Sequence, residues 1–432
     1  MLDVTLSRRR TPRDVSRGPA SPGDPPGPRP DAHAEALGLA HVATAAFVGA
    51  RVAPSAQFWL SLPGGVALAR AAQRRGLGRG YGASLAATLQ GVAILGPLRV
   101  NGPLTQAISA PALGRLEARG APVAVQFAAC LALRLLHYAV LNVLAVWLLL
   151  GGIDGYVRTY EATTGWAGVL PQGRTGALVV GIAWQLLWAA FFSVVQVAVY
   201  RRALRRWPES GEAHDGSAPA AAPAGGHDAR ALAVAALVAF AVLLASTSPV
   251  VLAGVATWLA LAWLLARPDA QVARVGAGLA VLLAVGALAA GLIGTLGFVP
   301  SLRRAARAAL LVLVATWLRG AAGPEGMRDV FGAVLARLRR LGWAREARAL
   351  LEGLDSAPRL MAAGRELIEA LRPVRKRPGP VADATTGWVA AEAARGAGGA
   401  PPAPARLEVR RRDRLVVALA ALPIAGLLGH AL

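Results

Sequence analysis

Four polar side chains interrupt one apolar stretch of the chain: Arg134, His137, Tyr138 and Asn142. Positions 134, 138 and 142 follow each other at intervals of four, which stacks their side chains along one side of a helix. An arginine is costly in hydrocarbon, so we expect Arg134 to face a protein interior or a water-filled cavity. The chemistry that this pattern predicts is hydrogen bonding, either to a neighbouring helix or to a solute.

A second apolar stretch, 175–200, supplies polar and aromatic residues that could face this helix: Trp184, Gln185, Trp188 and Gln196. Two interpretations stay open. The polar side chains hold a helical bundle together by interhelical hydrogen bonds, or they line a substrate cavity closed by a loop with Tyr156, Tyr160, Trp166, Gln172 and Arg174. The substrate-binding candidates are Arg134, His137, Tyr138, Asn142, Gln185 and Trp188.

The sequence contains no recognisable motif for nucleotide hydrolysis, metal binding or nucleophilic catalysis. Lys376 is the single lysine and follows no glycine-rich phosphate loop, so the chain lacks its own P-loop. The six histidines form no HExxH motif, no GxSxG is present, and Cys130 is the single cysteine. We therefore predict no catalytic residues, no metal site, no cofactor and no enzymatic activity.

The elements that carry these residues are long uncharged stretches, and a helix needs about 20 apolar residues to cross a bilayer. The mean hydropathy is +0.48, and only 16% of residues are charged. The sequence predicts an all-α polytopic membrane protein with about ten to eleven transmembrane helices, in the cell membrane. The stretches lie at 52–69, 80–98, 135–153, 175–200, 231–266 and 275–302.

The net charge of +22 comes from short basic runs between the apolar stretches. Basic residues in such loops hold them on the cytoplasmic side, so we expect a cytoplasmic N-terminus and no nucleic-acid partner. Arg303, Arg304 and Arg307 are the exception, because the count of crossings places them at the outer face. We expect their side chains to reach the headgroup region.

Composition divides the chain into seven segments. The predicted organisation is a disordered cytoplasmic tail at 1–35, a six-helix membrane half at 36–206, a flexible linker at 207–230, a four-helix membrane unit at 231–320, cytoplasmic amphipathic helices at 321–376, a polar linker at 377–412 and a short final membrane helix at 413–432. Within the four-helix unit, Ser246-Thr247-Ser248-Pro249 should split one apolar run into a hairpin, since proline lacks the N–H that continues a helix.

The segment 326–372 differs in kind, because apolar residues recur there every three or four positions beside a basic face. One interpretation is a helix lying on the membrane surface. The other is a docking platform whose arginines meet acidic groups of a soluble partner. On the second interpretation the partner-docking candidates are Arg345 and Arg348.

This order of parts resembles the energy-coupling factor transporters, in which a substrate-binding membrane component joins a transmembrane coupling component. The second half, 231–432, carries most of the likeness. In that family, Ala-Arg-Gly-type motifs on cytoplasmic helices dock separate ATPase subunits, and the nearest strings here are Ala344-Arg345-Glu346 and Ala347-Arg348-Ala349, with Leu318-Arg319-Gly320. None matches the motif fully, and the first half resembles a substrate-binding component in helix number alone.

The resemblance implies a membrane permease component of an importer that binds a small solute in its first half and docks separate ATPase subunits through its second. Its expected partners are the lipid bilayer, those ATPases and the solute. The alternative is a non-transporting membrane scaffold that binds anionic lipid or a cytoplasmic partner. ATPase genes beside this one would favour the transporter.

Overall fold

The computed structural model of the chain describes residues 30–51, 57–165, 168–207, 227–373, 378–397 and 411–425. This part of the chain is all helical, which confirms the predicted class. Its fifteen α-helices are α1 Pro30–Gly49, α2 Gln57–Arg75, α3 Leu77–Leu95, α4 Asn101–Ala118, α5 Val123–Ala145, α6 Ile153–Thr164, α7 Gly173–Arg205, α8 Ala229–Ala245, α9 Pro249–Leu265, α10 Ala270–Ile293, α11 Phe298–Arg337, α12 Gly342–Gly353, α13 Ala357–Leu371, α14 Pro378–Ala397 and α15 Arg411–Leu419.

Four helical segments of the described chain are long and apolar enough to cross a membrane. They are Val123–Leu150, Gly173–Arg205, Ala270–Ile293 and Phe298–Arg337. In the first two, only 11% of the most apolar window is buried by the rest of the protein. Their apolar surface is therefore left for a surrounding solvent such as lipid.

Helix α1 lies at the centre of a helical bundle that packs around it. Its residues from Ala36 to Ala50 are almost wholly buried, and it packs against α2, α3, α13 and α14. The apolar faces of α12 and α13 complete the same core through Leu350, Leu360 and Leu367. We call helices α1–α4 with α12–α14 the inner bundle. It joins the first hundred residues to the last hundred in one core.

This arrangement differs from the predicted six-helix membrane half. None of α1–α4 is among the four candidate spans, so only α5 and α7 remain from the six crossings expected in 36–206. The reason is that an alanine-rich helix such as α1 has the same composition whether protein or lipid surrounds it. Here protein surrounds it, and the two halves share a core instead of forming separate bundles.

The polar linker predicted at 377–412 is wrong in its first part, because Pro378–Ala397 forms α14. Alanine has the highest helix propensity, and Pro378 and Pro380 lie in the first turn, where a helix tolerates proline. Gly38 of α1 allows α14 a close approach, since a side-chain carbon at Gly38 would lie 1.9 Å from the carbonyl oxygen of Ala393. Most of the predicted tail at 1–35, and of the linker at 207–230, lies outside the described residues.

The predicted hairpin in the second half is confirmed. Helix α8 ends at Ala245, and α9 begins at Pro249 after Ser248, whose Oγ accepts a hydrogen bond from the N–H of Val251 at 3.3 Å. Trp258 of α9 meets Trp317 of α11 edge to face, with ring centroids 5.3 Å apart. These indoles lie in a second core formed by α8, α9, α11 and α15.

Helices α10 and α11 form the closest interhelical contact of this second half. Side-chain carbons placed at Gly276 and Gly291 would clash with Thr316 and Ser301, as expected where small residues let two backbones approach. Helix α11 then bends at Gly323, which has a φ of 69° and precedes Pro324. The final helix predicted at 413–432 begins as α15, and residues 426–432 of that prediction lie outside the described part of the chain.

Two of the three arginines predicted to reach outer headgroups, Arg304 and Arg307, have protein partners instead, whereas Arg303 is exposed. Arg304 donates to the carbonyl of Leu150 at 2.8 Å, and Arg307 donates to that of Leu148 at 2.8 Å. Residues 146–150 form a π-helical turn at the end of α5, where carbonyls lack intrahelical donors. Two cations at this C-terminus are also favoured by the helix dipole, which explains the basic residues at this end.

One charged contact fixes α1 within the inner bundle. His41 is 1% exposed, its Nδ1 lies 2.9 Å from Asp355, and its Nε2 is hydrogen-bonded to Glu392 at 2.9 Å. Arg359 and Arg395 contact the same two carboxylates at 3.2 and 2.6 Å. Burial opposes the charged imidazole, yet the two carboxylates outweigh it and raise the pKa of His41 above 6.5.

We predict that replacing His41 with Gln destabilises the protein by about 3–5 kcal/mol, because two buried carboxylates lose a cationic partner. A raised folded-state pKa gives stability that is complete below pH 6.5 and lost as the pH rises through that pKa. Thermal unfolding in detergent at pH 6 and pH 9 measures both effects. The wild type should lose more stability than the variant between these pH values, and equal losses would contradict this role.

Candidate functional site

Arg134 lies inside the protein, as predicted, with 2% of its surface exposed. Its Nη2 donates to Oε1 of Gln196 on α7 at 2.5 Å, and its Nη1 lies 3.4 Å from the hydroxyl of Tyr138. No ion pair to Arg134 is found within the part of the chain that the structure describes. The guanidinium is therefore held by neutral acceptors, as in the interhelical interpretation.

The hydrogen bonds continue from Gln196 into the inner bundle. Gln196 Nε2 donates to the hydroxyl of Ser109 on α4 at 2.7 Å, and the thiol of Cys130 lies 3.5 Å from its Oε1. One turn further along α7, the hydroxyl of Tyr200 donates to Gln106 at 2.6 Å. This polar network joins α4, α5 and α7 where the candidate spans meet the inner bundle.

Aromatic rings cover the other side of the Arg134 guanidinium. Its Cζ lies 5.7 Å from the ring centroid of Phe58 and 5.8 Å from that of Phe192. Phe192 in turn stacks on Trp188, with centroids 5.5 Å apart. A cation over such faces gains about 0.5–2 kcal/mol, so the predicted Trp188 contributes to this site through Phe192.

Two of the predicted substrate-binding residues lie outside the cluster around Arg134. Asn142 is exposed, and Gln185 is half buried without a hydrogen bond to Arg134. Eight residues of an α-helix turn about 80° past two full turns, so positions 134 and 142 face different directions. His137 is buried beside Tyr138, with ring centroids 6.1 Å apart. The two cavities described below are not lined by any of these residues.

The two docking candidates on α12 lie in different surroundings. Arg348 pairs with Glu352 one turn along the same helix at 2.7 Å, and both side chains are exposed. Arg345 lines a cleft of about 500 Å³ between the starts of α3 and α12, which we call the arginine cleft. The residues lining it are His33, Arg75, Gly78, Arg79, Gly342, Trp343, Arg345, Glu346 and Ala349.

The apolar side of α12 is not available to membrane or partner. Ala344, Ala347, Leu350 and Leu351 are fully buried in the inner bundle. The surface-lying interpretation needs an apolar stripe facing lipid. On α12 the structure encloses that stripe in protein, whereas Val334, Leu338 and Leu341 before it are exposed. What α12 presents outward is its basic face.

A second, smaller cavity of about 30 Å³ lies where α3 meets α10 and α11. Arg99 and Arg319 both line it, and Nε of Arg319 is buried without a hydrogen-bond partner. Its volume suits little more than one water molecule. It marks the level at which the inner bundle meets the candidate spans.

Sequence reasoning did not single out the arginine cleft or the contacts of His41. Arg75 and Arg79 gave a signal only as a basic turn between two apolar stretches. Glu346 had no signal, since its contact with Arg75 at 2.7 Å joins residues 271 positions apart. Gln196 was recognised as a facing residue but not as the acceptor for Arg134.

No family model matches the chain, and no curated protein or solved structure matches it either.

The contact between Arg134 and Gln196 predicts strong coupling in a double-mutant cycle. Arg134→Leu and Gln196→Leu should each destabilise the protein by about 1–3 kcal/mol, because each leaves a buried polar group unpaired. The double variant should lose less than the two single losses together, by about 0.5–3 kcal/mol. Thermal unfolding in detergent provides the free energies, and additive losses would contradict the contact.

Proposed function

We propose that this chain is a membrane permease component that docks separate cytoplasmic ATPase subunits, of the energy-coupling factor type. The observation that carries the proposal is the continuity of α11. This helix runs from a candidate span, bends at Gly323 and leads directly to α12, whose basic face is exposed. A partner bound at α12 is therefore linked mechanically to the membrane part.

In this proposal the inner bundle is cytoplasmic and the candidate spans anchor it. Basic residues at the bundle's end of the spans include Arg115, Arg119, Arg201, Arg202, Arg205, Arg206 and Arg267. Lys and Arg in short loops favour the cytoplasmic side. At the opposite end, Arg304 and Arg307 are bound to helix carbonyls, so they do not argue against this orientation.

The scaffold remains a second candidate, and one observation favours it. The cluster around Arg134 is closed by Gln196, Phe58 and Phe192, with no cavity among those described at its centre. A solute site needs an open space, and neither of the two cavities described above lies at this cluster. In a scaffold, the same cluster fastens α5 and α7 to the inner bundle.

Cysteine labelling distinguishes this topology from six crossings in the first half. In a Cys130→Ser background, a membrane-impermeant maleimide should label Val169→Cys, which is 84% exposed at the outer end. It should not label Asn101→Cys in intact cells, because α3 and α4 then lie on the inner side. Labelling of Asn101→Cys from outside would show that α3 and α4 cross the membrane.

Charge reversal on α12 tests the docking part of the proposal. Arg345→Glu with Arg348→Glu should abolish pull-down of co-expressed ATPase subunits, because both arginines are exposed and surface changes alter stability by only ~0.5 kcal/mol. Arg411→Glu with Arg412→Glu is the matched control, with the same charge change on exposed positions of α15. Equal recovery with both double variants would overturn docking at α12.

A further inference from the structure

The arginine cleft has an excess of positive charge that the protein itself does not neutralise. Three guanidinium groups, from Arg75, Arg79 and Arg345, line it with one carboxylate, Glu346. That carboxylate is engaged by Nη1 of Arg75 at 2.7 Å. Three guanidinium charges against one carboxylate leave two positive charges, which is the charge that a phosphate dianion would match.

Arg75 is the most buried of the three arginines that line this cleft. Its side chain is only 8% exposed, yet its Nε is buried without a hydrogen-bond partner among the described residues. A buried N–H left unpaired costs free energy, so the guanidinium of Arg75 still lacks one acceptor beside the cleft. Arginine forks suit phosphate because they can donate two parallel hydrogen bonds.

Two helix starts add donors at the same place. Helix α3 follows Gly76 without a side-chain cap, and its first backbone bond is Gly80 N–H to the carbonyl of Gly76. Helix α12 follows Leu341, again without a side-chain cap. The first amides of each helix are thus free to bind an anion, and both helix dipoles favour one.

The cleft also has room for more than a bare anion. No protein atom lies within 4 Å of a side-chain carbon placed at Gly78 or Gly342, and the volume is that of a small-molecule site. Trp343 lies at the cleft with 38% of its surface exposed. Its indole offers a flat face on which an organic ring can stack.

The position of the cleft favours a soluble ligand over a lipid headgroup. From Gly78 to Leu95, helix α3 rises about 26 Å, at 1.5 Å per residue. Leu95 lines the small cavity next to α10 and α11, at the level where the inner bundle meets the candidate spans. The start of α3, which lines the arginine cleft, thus lies about 26 Å along the helix from that level.

We propose that the arginine cleft binds a soluble phosphate monoester, with the phosphate among Arg75, Arg79, Arg345 and the two helix starts, and the organic group against Trp343. This site shares Arg345 with the docking proposal, but it requires no partner protein and can be tested without one. A ligand bound there would join α3 to α12 at the base of the inner bundle.

Isothermal titration of the full chain in detergent tests this site with AMP and inorganic phosphate as probes. Both should bind, whereas adenosine should not. Arg79→Ala and Arg345→Ala should each weaken AMP binding by about tenfold, the effect of losing one charge-assisted hydrogen bond. Gly342→Leu should exclude AMP by filling the cleft. Arg348→Ala, whose partner Glu352 lies outside the cleft, is the matched control and should leave binding unchanged.

Absence of binding by both probes at millimolar concentration would overturn the proposal, as would equal AMP affinity in the wild type and all cleft variants. A hexaglutamate peptide that binds more tightly than AMP would assign the cleft to an acidic protein partner instead. Phosphatidic acid in the micelles should not compete with AMP, and competition would overturn the soluble-ligand assignment. Failure of the wild type to recover ATPase subunits, with AMP binding intact, would overturn the docking proposal alone.

Discussion

The enclosure of helix α1 is the constraint on which the rest of the structure depends. An alanine-rich helix buries little area per residue, so it must be surrounded closely on all sides to contribute to stability. The surrounding helices come from both ends of the chain, α2 and α3 on one side and α12–α14 on the other. The C-terminal helices therefore cannot act as an independent appendage to a membrane bundle.

Charge inside this bundle explains why the packing is specific as well as close. Apolar alanine faces slide past one another easily, whereas His41 between Asp355 and Glu392 permits one register of α1 against α13 and α14. Burial opposes ionisation of Glu392, yet its hydrogen bond to His41 and the charges of His41 and Arg395 lower the pKa of this carboxyl. Buried charges of this kind add little net stability, and their best-attested effect is to fix register.

Local signals in the sequence predicted part of this fold and could not predict the rest. Ser248 and Pro249 give a helix start that depends on neighbours within three residues, so the α8 and α9 hairpin was predictable. Whether α1 faces lipid or protein depends on α14, which lies some 350 residues away. Arg134 was predictable as a buried group because its cost in hydrocarbon is local. The pairing of Arg134 with Gln196, and the orientation of Asn142 away from Arg134, depend on the packing angle between α5 and α7.

The same packing separates two arginines that the sequence presents as equivalent. Arg345 and Arg348 are three residues apart on α12, and both follow an alanine. Arg348 has an acid one turn away at Glu352, so part of its charge is already compensated within the helix. Arg345 faces the start of α3, where Arg75 has already engaged the nearby Glu346. On α12 the charge left uncompensated is therefore that of Arg345, which lines the arginine cleft.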